Sequence, residues 1–120
     1  MERGSREQAA MEAAESYYRA MVGGDAAALR SLFDPRAAIS GHFEGDFLWQ
    51  DLDGFIAETE SLVGQHGEEV CVVEGFRRDG DIAWVAVRGR YSGLWFVDHL
   101  SMVEVDGRWR IVGKTFHVVT

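Results

Sequence analysis

The sequence predicts an α+β fold: three N-terminal helices packed on one face of a curved, mostly antiparallel sheet. Two observations carry this expectation. Through the first half, apolar residues recur at helical spacing, interrupted by a single short hairpin. The second half holds four strand-like runs separated by Asp79-Gly80, Ser92-Gly93 and Asp106-Gly107, dipeptides that tolerate the positive φ of tight hairpin turns.

In chain order, Ser5 and Gln8 fit a capping box. Ala10, Ala14, Tyr17, Tyr18 and Met21 then form an amphipathic stripe that ends at Gly23-Gly24, so residues 1–6 are expected to be a loose tail on a single domain spanning 1–120. Asp25 is placed to cap a second helix, Ala26 to Phe33, with Leu29, Leu32 and Phe33 on one side and Pro35 stopping it. Ala37 to Trp49 reads as a short hairpin bent at Glu44-Gly45-Asp46. Asp51 caps a third helix whose Leu52, Phe55, Ile56, Leu62 and Val63 share a face, closed by His66-Gly67. Val70 to Phe76, Ile82 to Tyr91, Leu94 to Val105 and Arg108 to Val119 complete a four-stranded meander.

Alternation along strands assigns each side chain to a face once the turns are taken as two-residue loops. Counting back from Asp106-Gly107 sets Trp109 opposite Glu104, Ile111 opposite Met102, Gly113 opposite Leu100, Thr115 opposite Asp98 and His117 opposite Phe96. The other two turns add Val87, Val85, Ala83, Phe76, Glu74 and Val72 to the same face, with Glu74 opposite Val85, and small Ala83, Gly89 and Gly113 leave room for a concavity. This is the face expected beneath the helices. The outer face would carry Arg88, Arg90, Arg108, Arg110, His99 and Lys114 together with Val73, Trp84, Val97, Val103, Val112 and Phe116, and Cys71 as an ordinary small apolar residue. Apolar and aromatic residues mixed with arginine suit a protein interface, so a homodimer formed through this face is expected.

Charge narrows the partners. Twelve basic and 20 acidic residues give a net charge of −8, which disfavours nucleic acid and anionic membranes. The longest apolar run, Ile82 to Val87, is far below the ~20 residues of a membrane helix. One cysteine and a polar N-terminus without a signal-peptide core point to the cytoplasm.

The element order, with Tyr17-Tyr18, Gly24-Asp25, Leu29 and Leu32-Phe33-Asp34-Pro35-Arg36-Ala37, then Asp98-His99-Leu100-Ser101-Met102 and Asp106-Gly107-Arg108-Trp109-Arg110-Ile111-Val112-Gly113-Lys114, resembles the nuclear transport factor 2-like (NTF2-like, SnoaL-like) superfamily. Within it, the last two segments look like the group labelled "putative lumazine-binding". The resemblance spans roughly residues 10 to 117. It implies a cone-shaped barrel, commonly a homodimer packed through its sheets, with a pocket between sheet and helices. Members of the superfamily include isomerases, dehydratases, cyclases and epoxide hydrolases as well as non-catalytic binding modules. It also implies that the first strand lies near the last, bringing His42 towards His117.

Asp98 is the leading candidate for chemistry. A carboxylate among Phe96, Leu100, Val87 and Thr115 loses hydration and becomes a stronger base; the structural alternative is an Asp held by Thr115 or by a buried tyrosine. His117, diagonal to Asp98, is placed to orient it, and His42 is a further candidate of undetermined face. Tyr17 or Tyr18 could donate to an oxyanion. Trp49, Phe47, Phe55 and Trp109 could form aromatic walls, with Glu74 as a second inward carboxylate and Glu104 at the rim. The expected ligand is a small apolar or aromatic molecule. His42, His66, His99 and His117 lack metal-ligand spacing, and no phosphate loop or nucleophile motif is present, so no metal or cofactor is expected. Two functions stay open: cofactor-free acid/base catalysis through Asp98, or a non-catalytic binding or dimerisation module. An enclosed pocket with an unpaired Asp98 would favour the first, and Asp98 tied to fixed donors the second.

Overall fold

In the computed structural model, which describes residues 2–120 with side chains from residue 4 onward, three helices cover one face of a six-stranded sheet. The elements are α1 (Glu2–Gly23), α2 (Ala26–Leu32), β1 (Phe33–Phe43), β2 (Asp46–Gln50), α3 (Leu52–Ser61), β3 (Cys71–Asp79), β4 (Ile82–Tyr91), β5 (Leu94–Val105) and β6 (Arg108–Val119). The strand order is β2-β1-β6-β5-β4-β3, antiparallel except where β1 and β6 run parallel. The α+β class and curved, mostly antiparallel sheet are as expected, and the first strand does lie beside the last. The cone is not a closed barrel, because β2 and β3 remain as edges.

The helices form where the chain can satisfy their ends. Asp25 accepts from Ala28 N at 3.1 Å and Asp51 from Gly54 N at 2.8 Å, each satisfying an N–H that the first turn leaves without a carbonyl. The α1 stripe is buried as its spacing requires. Three boundaries differ, the last being α3, which stops at Ser61 instead of running to His66-Gly67 and leaves Val63 exposed. Residues 2–6 are not a tail but the first turns of α1, so Ser5 lies inside the helix; Met1 lies outside the described residues. Tertiary contacts hold this start, since Trp109 Nε1 donates to Arg6 O at 2.8 Å and Arg6 pairs with Glu104. Phe33 leaves the second helix to begin β1, where its buried ring meets Tyr17 and Phe55, and Pro35 sits in that strand.

Two of the three Xaa-Gly turns hold as two-residue loops, and the third shifts by one residue to Gly80-Asp81. Asp106 and Gly107 have φ of 52° and 76°, and Ser92 and Gly93 have 55° and 75°, both residues positive as a type I′ turn demands. The β4–β5 register is as counted, with Val87 opposite Asp98, Val85 opposite Leu100 and Ala83 opposite Met102. The other two hairpins each contain a bulge that inverts part of a strand.

On β6, Ile111 pairs with Met102 but Gly113 pairs with Ser101, leaving Val112 as an extra residue. Beyond it the faces swap: Leu100 faces Lys114, Asp98 faces Phe116 and His99 faces Thr115. Thr115 and His117 are therefore exposed on the outer face, while Lys114 and Phe116 turn inward. On β3, the Asp79-Gly80 turn is offset so that Phe76, not Glu74, lies opposite Val85, and Glu74 is the bulged residue. Glu74 is exposed and pairs with Arg88 Nε at 2.6 Å. Val72 is exposed, whereas Val73 and Cys71 pack against the core.

Gly89 is not the floor of a concavity. A Cβ there would lie 2.6 Å from Tyr18 Cε1 and 2.9 Å from Val70 O, so the space is filled by the α1 tyrosine. Gly89→Ala is expected to destabilise the protein by about 1–3 kcal/mol through overpacking, read as a lower urea midpoint at unchanged m. An unchanged midpoint would mean that Tyr18 moves freely.

Candidate functional site

The inner face divides into a filled end and an open end. At the filled end Trp109, Met102 and Ile111 close the core beneath α1. At the other end a cavity of about 250 Å³ opens between β1–β2, α3 and the inner residues of β4–β6. Ile39, Phe43, Leu48, Phe55, Leu62, Phe96 and Phe116 supply apolar walls, and the polar lining is Gln50, Glu58, Ser61, Tyr91, Ser92 and Lys114.

Lys114 is the centre of this arrangement. It is the only lysine in the sequence, the remaining basic residues being arginines, and it is 6% exposed. The Val112 bulge turns it inward. Its Nζ lies 4.2 Å from the centroid of Phe55 and 5.9 Å from that of Phe116, two cavity walls, and 5.3 Å from that of Tyr17. Met21 Sδ is 3.7 Å away. Asp98 Oδ2 lies 3.8 Å from Nζ, an ion pair rather than a direct hydrogen bond. Burial pushes the Lys114 ammonium below its ordinary pKa, and the negative charges of Asp98 and Glu58 partly offset that push.

Asp98 is buried as its neighbours predict, but it sits behind Lys114 and does not line the cavity. Tyr17 donates to Asp98 Oδ2 at 2.6 Å, while Oδ1 has no hydrogen-bond partner among the described residues. Burial, then the adjacent carboxylate, pushes the Tyr17 phenol well above its usual pKa, so it stays a donor. Asp98 is thus held by a buried tyrosine and faced by an ammonium.

The cavity's second polar group is Glu58. Its Oε2 accepts from Tyr91 OH at 2.8 Å and its Oε1 from Gln50 Nε2 at 3.0 Å. Behind Tyr91 stands His66, stacked at 4.6 Å between ring centroids. His66 Nδ1 accepts from Ser92 N at 2.8 Å, and burial lowers its pKa, so the ring is neutral and its proton sits on Nε2.

Of the residues singled out from sequence, Phe55 and Phe96 line the cavity, and Tyr17, Asp98 and Val87 lie buried next to or behind it. Trp109 closes the opposite end of the core. Trp49, 66% exposed, and Phe47 point outward because Leu48 and Gln50 hold the inner positions of β2. His42 is exposed against Phe47 on the outer face, the same side as His117, so neither reaches Asp98. Cys71 is half-buried and its thiol is pushed up to about 11, which removes it as a nucleophile near neutrality. Lys114, Glu58, Tyr91 and His66 were missed. For Lys114 a signal existed: a lone glycine inside a strand, here Gly113, often marks a bulge.

The family described as "Putative lumazine-binding" matches residues 5–117. The chain belongs to that family, within the NTF2-like fold. An NTF2-like protein of unknown function from Silicibacter pomeroyi DSS-3 is 32% identical, with 99% of this chain and 100% of the other covered and a TM-score of 0.94. One from Shewanella baltica OS155 is 20% identical over 94% of this chain and 93% of its own, TM-score 0.84. A third, from Methylobacillus flagellatus KT, is 20% identical over 92% and 89%, TM-score 0.81. No curated protein matches. This NTF2-like protein has no helix, among its described residues, long and apolar enough to cross a membrane.

Removing one member of the buried pair leaves the other charge without compensation. Lys114→Met is expected to cost on the order of 3–5 kcal/mol, and Asp98→Asn in the same chain to recover part of it. Additive losses in a denaturation double-mutant cycle would show that the two groups do not interact.

Proposed function

We propose that this protein binds a small, largely apolar and planar molecule bearing an anionic or carbonyl oxygen, and that Lys114 is the group that receives that oxygen. The single observation supporting this reading is the sole lysine, buried in the lining of a largely apolar cavity with its charge offset from behind by Asp98. Phe55, Phe96 and Phe116 offer faces and edges to a ring, and Glu58 offers a carboxylate to a ligand N–H or O–H. A planar heterocycle with carbonyl acceptors meets these requirements, so lumazine belongs in a first panel with aromatic carboxylates. The pairing of Asp98 with Tyr17 and Lys114 favours a binding role over use of Asp98 as a free base.

In a thermal-shift panel, aromatic carboxylates or lumazine are expected to stabilise the protein, by about 2.7 kcal/mol at a hundredfold excess over Kd, while amines of the same shape do not. Lys114→Met should abolish the preference. Equal shifts for acids and amines, or none for any member, would sink this reading.

The outer sheet face supports a second proposal, pairing with another copy of the chain. Ile82, Trp84 and Val112 stand exposed on it, and its arginines are partly neutralised in place by Arg88–Glu74 and Arg77–Asp79 pairs, so two such faces can approach without strong repulsion. Sedimentation is expected to give a dimer that Trp84→Glu converts to monomer. A wild-type monomer at high concentration would dispose of the idea.

A further inference from the structure

We infer that Lys114 is an imine-forming lysine, and that the cavity captures small aromatic aldehydes or ketones covalently through its Nζ. The inference rests on the binding reading above and extends it from an electrostatic anchor to a nucleophile.

Three features of the site support it. Lys114 lines a largely apolar cavity large enough for a small aromatic carbonyl compound, and its Nζ lies 4.2 Å from the centroid of Phe55 and 5.9 Å from that of Phe116, two of the cavity walls. Burial favours the neutral amine, the form that attacks a carbonyl carbon, over the ammonium. The charged and titratable groups facing it come from separate elements: Asp98 from β5, Glu58 from α3, Tyr17 from α1 and Tyr91 from β4. Asp98 stays in place behind the nitrogen throughout, so the positive charge that the amine gives up on deprotonation returns as a protonated imine opposite the same carboxylate.

The step balances without any further reagent. The ammonium releases a proton to cavity water, and the nitrogen lone pair forms a C–N bond to the carbonyl carbon while the C=O pair moves to oxygen. That oxygen, protonated, leaves as water as the nitrogen forms the C=N bond and retains one proton. The sum is ammonium plus carbonyl giving protonated imine plus water. Glu58, hydrogen-bonded by Tyr91 and Gln50, is the cavity group able to relay the protons.

Because the chain has one lysine, the test is site-specific. The full-length protein is incubated with benzaldehyde and sodium cyanoborohydride at neutral pH, and the adducts are located by peptide mapping. An ordinary lysine, with a pKa near 10.4, would offer roughly a few hundredfold less free amine at neutral pH than the N-terminus, near 7.7–8.0. Lys114 is expected to be labelled at least as fast as the N-terminus, and benzoate should protect Lys114 without protecting the N-terminus. Lys114→Arg keeps a cation opposite Asp98 and should leave only the N-terminal adduct; if that variant does not fold, the wild-type map decides alone. Labelling confined to the N-terminus, with benzoate still raising Tm, would overturn the imine and leave the binding reading standing. Labelling of Lys114 that benzoate does not slow would overturn capture in the cavity. Neither labelling nor a benzoate shift would remove both.

Discussion

A buried ammonium is the constraint on which the arrangement of this molecule turns. Removing a lysine charge from water costs several kcal/mol, and a carboxylate at about 4 Å returns on the order of 4 kcal/mol at an effective dielectric of about 20. The Lys114–Asp98 pair, at 3.8 Å, therefore comes close to breaking even and gives little net stability. Its surroundings are nonetheless drawn from every layer: Tyr17 and Met21 from α1, Phe55 from α3, Asp98 from β5 and Phe116 from β6. Apolar residues at 98 and 114 together would fill the same positions at lower cost. The charge at 114 fits a role towards whatever enters the cavity.

The same inner face serves two purposes along its length. Where α1 lies over β3 and β4, side chains interlock, as Tyr18 does above Gly89. Towards β1, β2 and α3 the covering element is short, and the aromatic residues line a space instead of filling it. Glu58 and Tyr91 at that end are fixed by their hydrogen bond to each other, and the neutral His66 ring stacked behind Tyr91 is itself pinned by Ser92 N. The polar walls of the cavity are thus fixed by hydrogen bonds among themselves and by the His66 ring behind them, the pre-organisation that the proposed binding requires.

Much of the fold could be read in advance because its signals are local. Asp25 and Asp51 cap the helices they precede, and Asp106-Gly107 and Ser92-Gly93 turn where their positive φ values require. The site was less legible, and the cause can be traced to glycine. Four glycines lie inside strands: Gly75 and Gly113 adjoin bulges, whereas Gly41 and Gly89 allow Phe116 and Tyr18 to approach the backbone closely. A glycine in a strand signals either event, and only the neighbouring elements tell which. Treating β6 as regular put Thr115 and His117 beside Asp98 and turned Lys114 to the outside; the single extra residue Val112 reversed all three.

By itself, then, the sequence determined the order of elements, the turns at Ser92-Gly93 and Asp106-Gly107, the burial of Asp98 and the fold to which these add up, since each follows from residues close together in the chain. Tertiary structure alone decided that Lys114 meets the cavity, that Tyr17 rather than Thr115 or His117 holds Asp98, and that Glu58 and Tyr91 share the pocket. Those pairings join residues far apart in sequence, and strand parity carries a one-residue irregularity forward to every side chain beyond it.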